Sequence, residues 1–442
     1  MWTDCLGNPV TLDSERSLPL LNDFVEGFIA SEERALNIIG AAASDTSPLV
    51  QACAAAVHLF AESRDAPANA RPFIERAQAR AHEATAGEQR FIAAVAAWAE
   101  GDTTRAFALH EEQAKECPRD LASLKLGQYH AFNAGDSPGM LRIALQALPA
   151  AADVPYLHGM LAFAWEQCHL LEQAEAAARR AIQMRRKEPW AHHALAHVML
   201  TQGRLREGHE FLAGVSGTWT GLNSFMVTHN WWHQALFALE LDRIEEVLDL
   251  YDTRVWGVVK EYSQDQVNAV SLLARLELSG VDVGDRWQDV GSYLARRLDD
   301  QVLPFLDMQY LYGLARAGRA EADTLLRHIE RHAQQAPAPA RAAWQRVALP
   351  ASRGLLAHAR GEHARAVDEL GQALPRMTEI GGSHAQRDLF SQVYLDALIR
   401  CGRLAGAQHL LAQQVRAQPE SLRLKRQAAQ VYRALGLAGV VP

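Results

Sequence analysis

Six short breaks of one kind punctuate this chain: Glu100-Gly101-Asp102, Ala134-Gly135-Asp136, Gln202-Gly203-Arg204, Ala317-Gly318-Arg319, Arg360-Gly361-Glu362 and Cys401-Gly402-Arg403. Each follows a segment of about 12 to 18 residues whose apolar positions recur three and four apart, the spacing of a helix with one buried face. Alternating runs rich in Val, Ile and Thr, the mark of strands, are missing from the sequence. Breaks that return at intervals of roughly 30 to 45 residues mark helix pairs, each unable to bury its apolar face alone and obliged to stack on its neighbours. The chain is therefore predicted to be all-α, an α-solenoid or superhelix of about ten helix pairs.

The clearest pair runs from Pro155 to Pro189, PYLHGMLAFAWEQCHLLEQAEAAARRAIQMRRKEP, with Gly159, Ala174 and Ala181 small where the two helices cross. Pro189 opens the next unit, PWAHHALAHVMLTQGRLREGHEFL, which breaks at Gly203-Arg204. Small residues at a crossing and a proline at the unit boundary are the tetratricopeptide pattern. The expected organisation is an irregular N-terminal segment, 1–47, capping one continuous tetratricopeptide-like repeat domain, 48–442. The stretches Gln334–Ala340 and Gly280–Asp285 read as loops between helices, since a flexible tether needs a longer biased composition.

At 442 residues the chain can bury a large core. Its 44 basic against 52 acidic side chains, a formal net charge of -8, offer no basic face to neutralise several phosphates, so nucleic acid is not expected as a partner. A membrane is not expected either, because the longest run without Asp, Glu, Lys or Arg, 211–239, is interrupted by His, Asn, Gln, Ser, Thr and Gly and is not continuously apolar. The opening residues, MWTDCLGNPVTLDSE, carry acids where a signal peptide carries a basic region. Five cysteines, Cys5, Cys53, Cys117, Cys168 and Cys401, form no CxxC pair and are odd in number, which fits a reducing compartment. A cytoplasmic location is expected.

The stretches WAHHALAHVMLTQGRLREG (Trp190 to Gly208), THNWWHQALFALELD (Thr228 to Asp242), SLLARLELSGVDVGDRW (Ser271 to Trp287) and GGSHAQRDLF (Gly381 to Phe390) resemble the family of tetratricopeptide repeat protein 38, in matching order over nearly the whole chain. The resemblance implies a cytoplasmic, all-helical, tetratricopeptide-like protein and brings no activity with it. Ala274 stands where the resemblance implies a larger residue.

In such repeats the first helix of each pair lines the inner face. His130, then His158, then His192, His193 and His197, then His229 and His233 fall on four successive first helices. A spacing of four puts His193 with His197, and His229 with His233, on one helix face. Three readings follow. The imidazoles hydrogen-bond one another inside the superhelix while Trp190, Trp231 and Trp232 pack around them; or they line a polar ligand pocket; or they ligate a divalent metal such as Zn, Fe or Ni, with Glu166, Glu240 or Asp265 completing the set. The zinc-protease motif HExxH is excluded, because Ala194 follows His193 and Asn230 follows His229.

In GGSHAQRDLF, Ser383 is a helix N-cap that places His384, Gln386, Arg387 and Asp388 in the first turn. An exposed helix N-terminus beside a guanidinium suits a carboxylate or phosphate; alternatively Arg387 and Asp388 pair internally. Asn268 and Asp265, and Asp307 with Gln309, lie near the starts of other first helices. The candidates for binding are thus His130, His158, Trp190, Trp231, Asn268, Gln386 and Arg387, and those for proton transfer are His193, His197, His229, His233, His384 and Asp388. Two function classes are carried forward. One is a recognition protein whose His- and Trp-rich concave face holds a small polar or anionic molecule or a peptide segment; the other is an enzyme using the same pocket, with histidine acid/base groups or a histidine-held metal. A second copy of the chain is a further expected partner, through Trp2 or the apolar tail Leu435–Pro442.

Overall fold

A computed structural model describes residues 1–437, 439 and 440. Ala438, Val441 and Pro442, part of the tail considered for self-association, lie outside the described residues. Among the described residues the only strands are Trp2–Thr3 and Pro9–Val10, paired antiparallel. The rest is helix and turn, as the periodicity requires.

All six breaks end a helix in the same way. Gly101, Gly135, Gly203, Gly318, Gly361 and Gly402 have φ between 66° and 80°. The next residue's N–H then reaches back to a carbonyl in the helix, as from Asp102 to Ala97 and from Arg204 to Met199. This is the left-handed C-terminal cap that glycine adopts without a Cβ penalty. His169 and Asp242 take up the same conformation, φ 58° and 61°, and continue the series where no glycine marks it. The positions 101, 135, 169 and 203 thus keep the period of about 34 residues of a tetratricopeptide unit. The helices that follow the breaks at 101 and 135 begin with side-chain caps at Asp102 and Asp136, which accept from Arg105 and Gly139 N–H groups.

Packing divides the chain into two compact units, Met1–Leu195 with Thr218–Met226, and Ala196–Gly217 with Val227–Pro442. The division falls within the helix Pro189–Thr201. In the first unit α1 (Leu18–Ala30) and α2 (Asn37–Ala41) precede four pairs: α3 (Pro48–Leu59) and α4 (Ala66–Ala79), α5 (Ala86–Ala99) and α6 (Thr103–Glu116), α7 (Leu121–Asn133) and α8 (Ser137–Ala151), α9 (Pro155–Gln167) and α10 (Leu171–Met184). Ala174, Ala178 and Ala181 of α10 are fully buried at the crossing. Gly159 serves a different neighbour from the expected one: a Cβ there would meet the Glu188 carboxylate at 2.5 Å. The N-terminal segment is tied in by Lys125 of α7, whose ammonium donates to the Phe28 and Ile29 carbonyls and the Ser31 hydroxyl.

Helix α11 (Pro189–Thr201) carries the division. The second unit continues through α12 (Leu205–Val215), α13 (Ser224–Glu240), α14 (Ile244–Leu250), α15 (Ser263–Leu278), α16 (Arg286–Leu294), α17 (Pro304–Arg316), α18 (Glu321–Gln335) and α19 (Ala338–Ala343). It ends with α20 (Leu349–Ala359), α21 (His363–Ala373), α22 (His384–Arg400), α23 (Leu404–Ala417) and α24 (Leu422–Ala434). The stretch 334–340 spans the end of α18, a turn at 336–337 and the start of α19, and 280–285 is the loop before α16. Trp232, Tyr251, Tyr310, Trp344 and Phe390 are fully buried in its core. The last helices of this unit return to its first ones: Gln418 donates to the Leu200 carbonyl at 3.0 Å, Arg206 N–H to Glu420 at 3.1 Å, and Arg426 pairs with Asp242 at 2.7 Å. Closure of the unit on itself encloses polar side chains that an open superhelix would leave on a groove.

Candidate functional site

A cavity of about 280 Å³ lies inside the second unit. Six helices, α11, α13, α15, α22, α23 and α24, supply its walls. Thr201 and Glu240 stand at the C-terminal ends of α11 and α13, and Arg275 projects from the last turn of α15. His384, Asp388 and Gln392 are spaced four apart on α22, so one face of that helix is turned to the cavity. Arg423 enters from the first turn of α24.

The two buried guanidiniums differ in how their charge is met. Arg423 donates from Nε and Nη2 to the Glu240 carboxylate, each at 2.8 Å, and the Ser421 hydroxyl donates to the other carboxylate oxygen. Arg275 is 2% exposed and donates only to neutral acceptors: the Ser271 carbonyl at 3.3 Å, the Ser271 hydroxyl, and the Ala385 carbonyl at 2.8 Å. Its guanidinium also rests 5.4 Å from the Trp232 ring centre. Among the described residues no carboxylate pairs with Arg275. Burial brings its pKa down to about 10, with the nearby Asp388 charge opposing that fall. The group is still a cation at neutral pH. Among the described residues Asp388 accepts from Gln392 Nε2 at 2.5 Å and has no cationic partner, and the buried Gln392 Oε1 has no hydrogen-bond partner.

From the cavity rim a file of imidazoles leads inward. His384 Nε2 meets the Thr201 hydroxyl at 3.0 Å, and its ring lies 5.3 Å from that of His197. His197 lies 4.5 Å from His233, and His233 lies 4.8 Å from His229, centre to centre. His229 is stacked on Trp232 at 5.0 Å and hydrogen-bonds through Nδ1 to Asn268 Oδ1 at 2.9 Å. Asn268 donates to Thr228, and Thr228 to Asp265. The Asn268 oxygen requires Nδ1 to carry the proton, which makes Nε2 the acceptor of the His229 ring. Burial holds the His229 pKa down at about 3, so the ring is neutral at physiological pH. Ring nitrogens of His197, His229 and His233 lie within 4.8 Å of one another.

The other sequence candidates have contacts within their own units. His130, His158, Trp190, His192 and His193 belong to the first unit. There His130 packs on His110 and Trp98, with its pKa pushed by burial to about 3, and His158 bonds the Ala152 carbonyl. Trp190 Nε1 donates to Ser31, Trp219 Nε1 donates to His192, and His193 packs on Phe163. Glu166, considered as a metal ligand, accepts from Gln167 in this unit. In the second unit Gln386 is spent on the capping box with Ser383, and Arg387 donates to the Gly381 and Gly382 carbonyls. Trp231 lies beneath Arg254. Asp307 accepts from Gln301, and burial raises its pKa to about 8. Helix spacing passes over Arg275, Gln392 and Arg423. For Arg275 a signal was present: it is the lone cation in the apolar run AVSLLARLEL, where burial of a charge demands an explanation.

No family model matches the chain. It is similar to the solved structure of the human IFIT1 dimer with PPP-AAAA and to that with m7Gppp-AAAA. Each is 10% identical with a TM-score of 0.44 and covers 96% of this chain and 92% of that chain. It is also similar to the P58(IPK) TPR domain, at 10% identity and a TM-score of 0.23, over 80% of this chain and 99% of that chain. Likenesses at such identity concern the helical-repeat fold alone. They do correct one expectation, that nucleic acid is excluded as a partner: helical-repeat structures similar to this chain carry PPP-AAAA and m7Gppp-AAAA. Net charge averages over the whole surface and says nothing of where single cations are placed, as Arg275 and Arg423 illustrate. Among the described residues no helix is long and apolar enough to cross a membrane. Stacked helix pairs, left-handed caps at one-repeat spacing and small residues at the crossings make this chain a tetratricopeptide-like α-solenoid.

Proposed function

We propose that the chain is a cytoplasmic binding protein of the tetratricopeptide repeat protein 38 type that holds a small anion-bearing polar molecule in the cavity of its second unit. The observation that carries this reading is Arg275, a buried cation lining a cavity with no carboxylate in contact with it among the described residues. An uncompensated buried charge costs several kcal/mol, and a carboxylate or phosphate brought by a ligand offsets that cost only when bound. A volume of about 280 Å³ suits a small molecule and is too small for an extended peptide. The test is thermal unfolding in phosphate and in short-chain carboxylates, against chloride at equal ionic strength. Wild type is expected to gain stability with anion concentration, and Arg275→Met to lose that dependence while remaining folded. An unchanged midpoint in every anion overturns the reading.

A second reading rests on the closeness of His197, His229 and His233. Three imidazole nitrogens within 4.8 Å of one another can gather around one divalent cation of the zinc class at about 2.0 to 2.1 Å each. With His384 to move a proton, such a centre would serve an enzyme. Stoichiometric metal in untagged protein, lost in His233→Ala, supports it. Failure to take up Co(II) removes it.

A further inference from the structure

We infer that the molecule held in the second unit's cavity is a zwitterion of the α-amino-acid class, its carboxylate at Arg275 and its ammonium at Asp388. The inference rests on the anion-binding reading above and names the ligand's class.

The first support is the charge balance of the walls. Glu240 and Arg423 neutralise each other at 2.8 Å. This leaves Arg275 and Asp388, of opposite sign, each lining the cavity and neither in an ion pair among the described residues. A simple anion would satisfy Arg275 and face Asp388 with a like charge, and a simple cation would do the reverse. A molecule carrying both charges and no net charge meets both.

The second support is spacing. Arg275 Nη2 is anchored on the Ala385 carbonyl of α22 at 2.8 Å, and Asp388 lies three residues further along the same helix. Positions three apart are neighbours on one helix face, within one pitch of about 5.4 Å. The two charges are therefore presented about one helical turn apart. An α-amino acid bears its carboxylate and ammonium on a single carbon and fits that gap, whereas a longer dipolar molecule would need to fold back.

The third support is the set of groups around the charges. An ammonium has three N–H donors, and the unpartnered Gln392 Oε1 beside Asp388 offers a second acceptor. Leu200, Leu236 and Leu424 give the rest of the cavity an apolar wall for a side chain.

The experiment is calorimetric titration of the full chain with a panel of common L-amino acids, each beside the same acid without its amino group and the same amine without its carboxylate. For leucine these are 4-methylpentanoate and isoamylamine. At least one amino acid is expected to bind tenfold or more tightly than its deaminated acid, with no binding of the amine. Asp388→Asn, and Asp388→Ser at smaller volume, are expected to bring amino acid and deaminated acid within about threefold while the acid still binds. Equal affinity of amino acid and acid for wild type overturns the zwitterion and leaves the anion site standing. Absence of binding by every amino acid, carboxylate and phosphate overturns both.

Discussion

The Arg423 guanidinium holds the Glu240 carboxylate at 2.8 Å through two nitrogens although 183 residues separate them in the chain. The pair joins α24 to α13, closes the second unit and forms one wall of its cavity. Both side chains are less than a tenth exposed, so the interaction is a buried one and is little screened by salt.

Breaking that pair from one side is expected to be costly. Glu240→Gln leaves Arg423 without its counter-charge and should lower stability by about 3 to 5 kcal/mol. Replacing both partners with apolar residues, Glu240→Leu with Arg423→Met, should recover most of the loss, because the desolvation penalty goes with the charges. Urea unfolding of the two single variants and the double variant measures this. Additive losses would show that the two groups act independently.

The left-handed caps give a second prediction. His169 occupies a conformation that costs a non-glycine residue about 1 to 2 kcal/mol, so His169→Gly should raise stability by about 0.5 to 1 kcal/mol once lost side-chain interactions are allowed for. Gly402→Ala should cost about 1 to 2 kcal/mol from backbone strain alone, since a Cβ there meets nothing within 4 Å. Gly203→Ala should cost more, because its Cβ would stand 2.7 Å from the Ala417 carbonyl in the same unit. Equal losses at 203 and 402 would contradict that close approach.

Asp307 sets a pH dependence on the alkaline side. Burial raises its pKa from 3.8 to about 8, so the folded chain keeps a proton that the unfolded chain releases over that interval. Its contribution to stability is complete below pH 3.8 and is lost as pH rises through about 8. Asp307→Asn, which keeps an acceptor for Gln301, should flatten the decline in denaturation midpoint between pH 5 and 8. A decline unchanged in the variant assigns it to other groups.

Acid should weaken the fold through its buried histidines. Burial lowers His229 in the second unit and His130 in the first from 6.5 to about 3. Between those values the unfolded chain takes up protons that the folded chain does not, so their contribution is present above pH 6.5 and lost as pH falls toward 3. His229→Asn should show a shallower loss of stability than wild type from pH 7 to 4. An identical slope would place the acid sensitivity elsewhere.

Much of the architecture was legible because its causes are local. The glycines of the six breaks adopt the conformation that only glycine enters at no cost, and aspartates at 102 and 136 cap the helices that follow. The breaks at His169 and Asp242 escaped notice because a Cβ-bearing residue there carries no such mark. The histidine spacing was informative in part: His197, His229, His233 and His384 do meet, through rings 4.5 to 5.3 Å apart. His193 shares a helix face with His197 and also packs on Phe163 and Trp190. Gln386 and Arg387 looked like ligand groups and are occupied by the cap and carbonyls of their own turn, an outcome that first-turn position alone does not distinguish.

What the sequence by itself determined is the succession of helices and their ends, since apolar period, cap and left-handed residue all act within a few positions of one another. The tertiary structure alone decided that Arg275 is buried without a carboxylate, that Glu240 is matched to Arg423, and that Asp388 and Gln392 face the same cavity. Those outcomes depend on α24 returning to α13, a contact between segments far apart in the chain. The free energy of a buried charge is set by whatever stands beside it, and no local pattern records that neighbour.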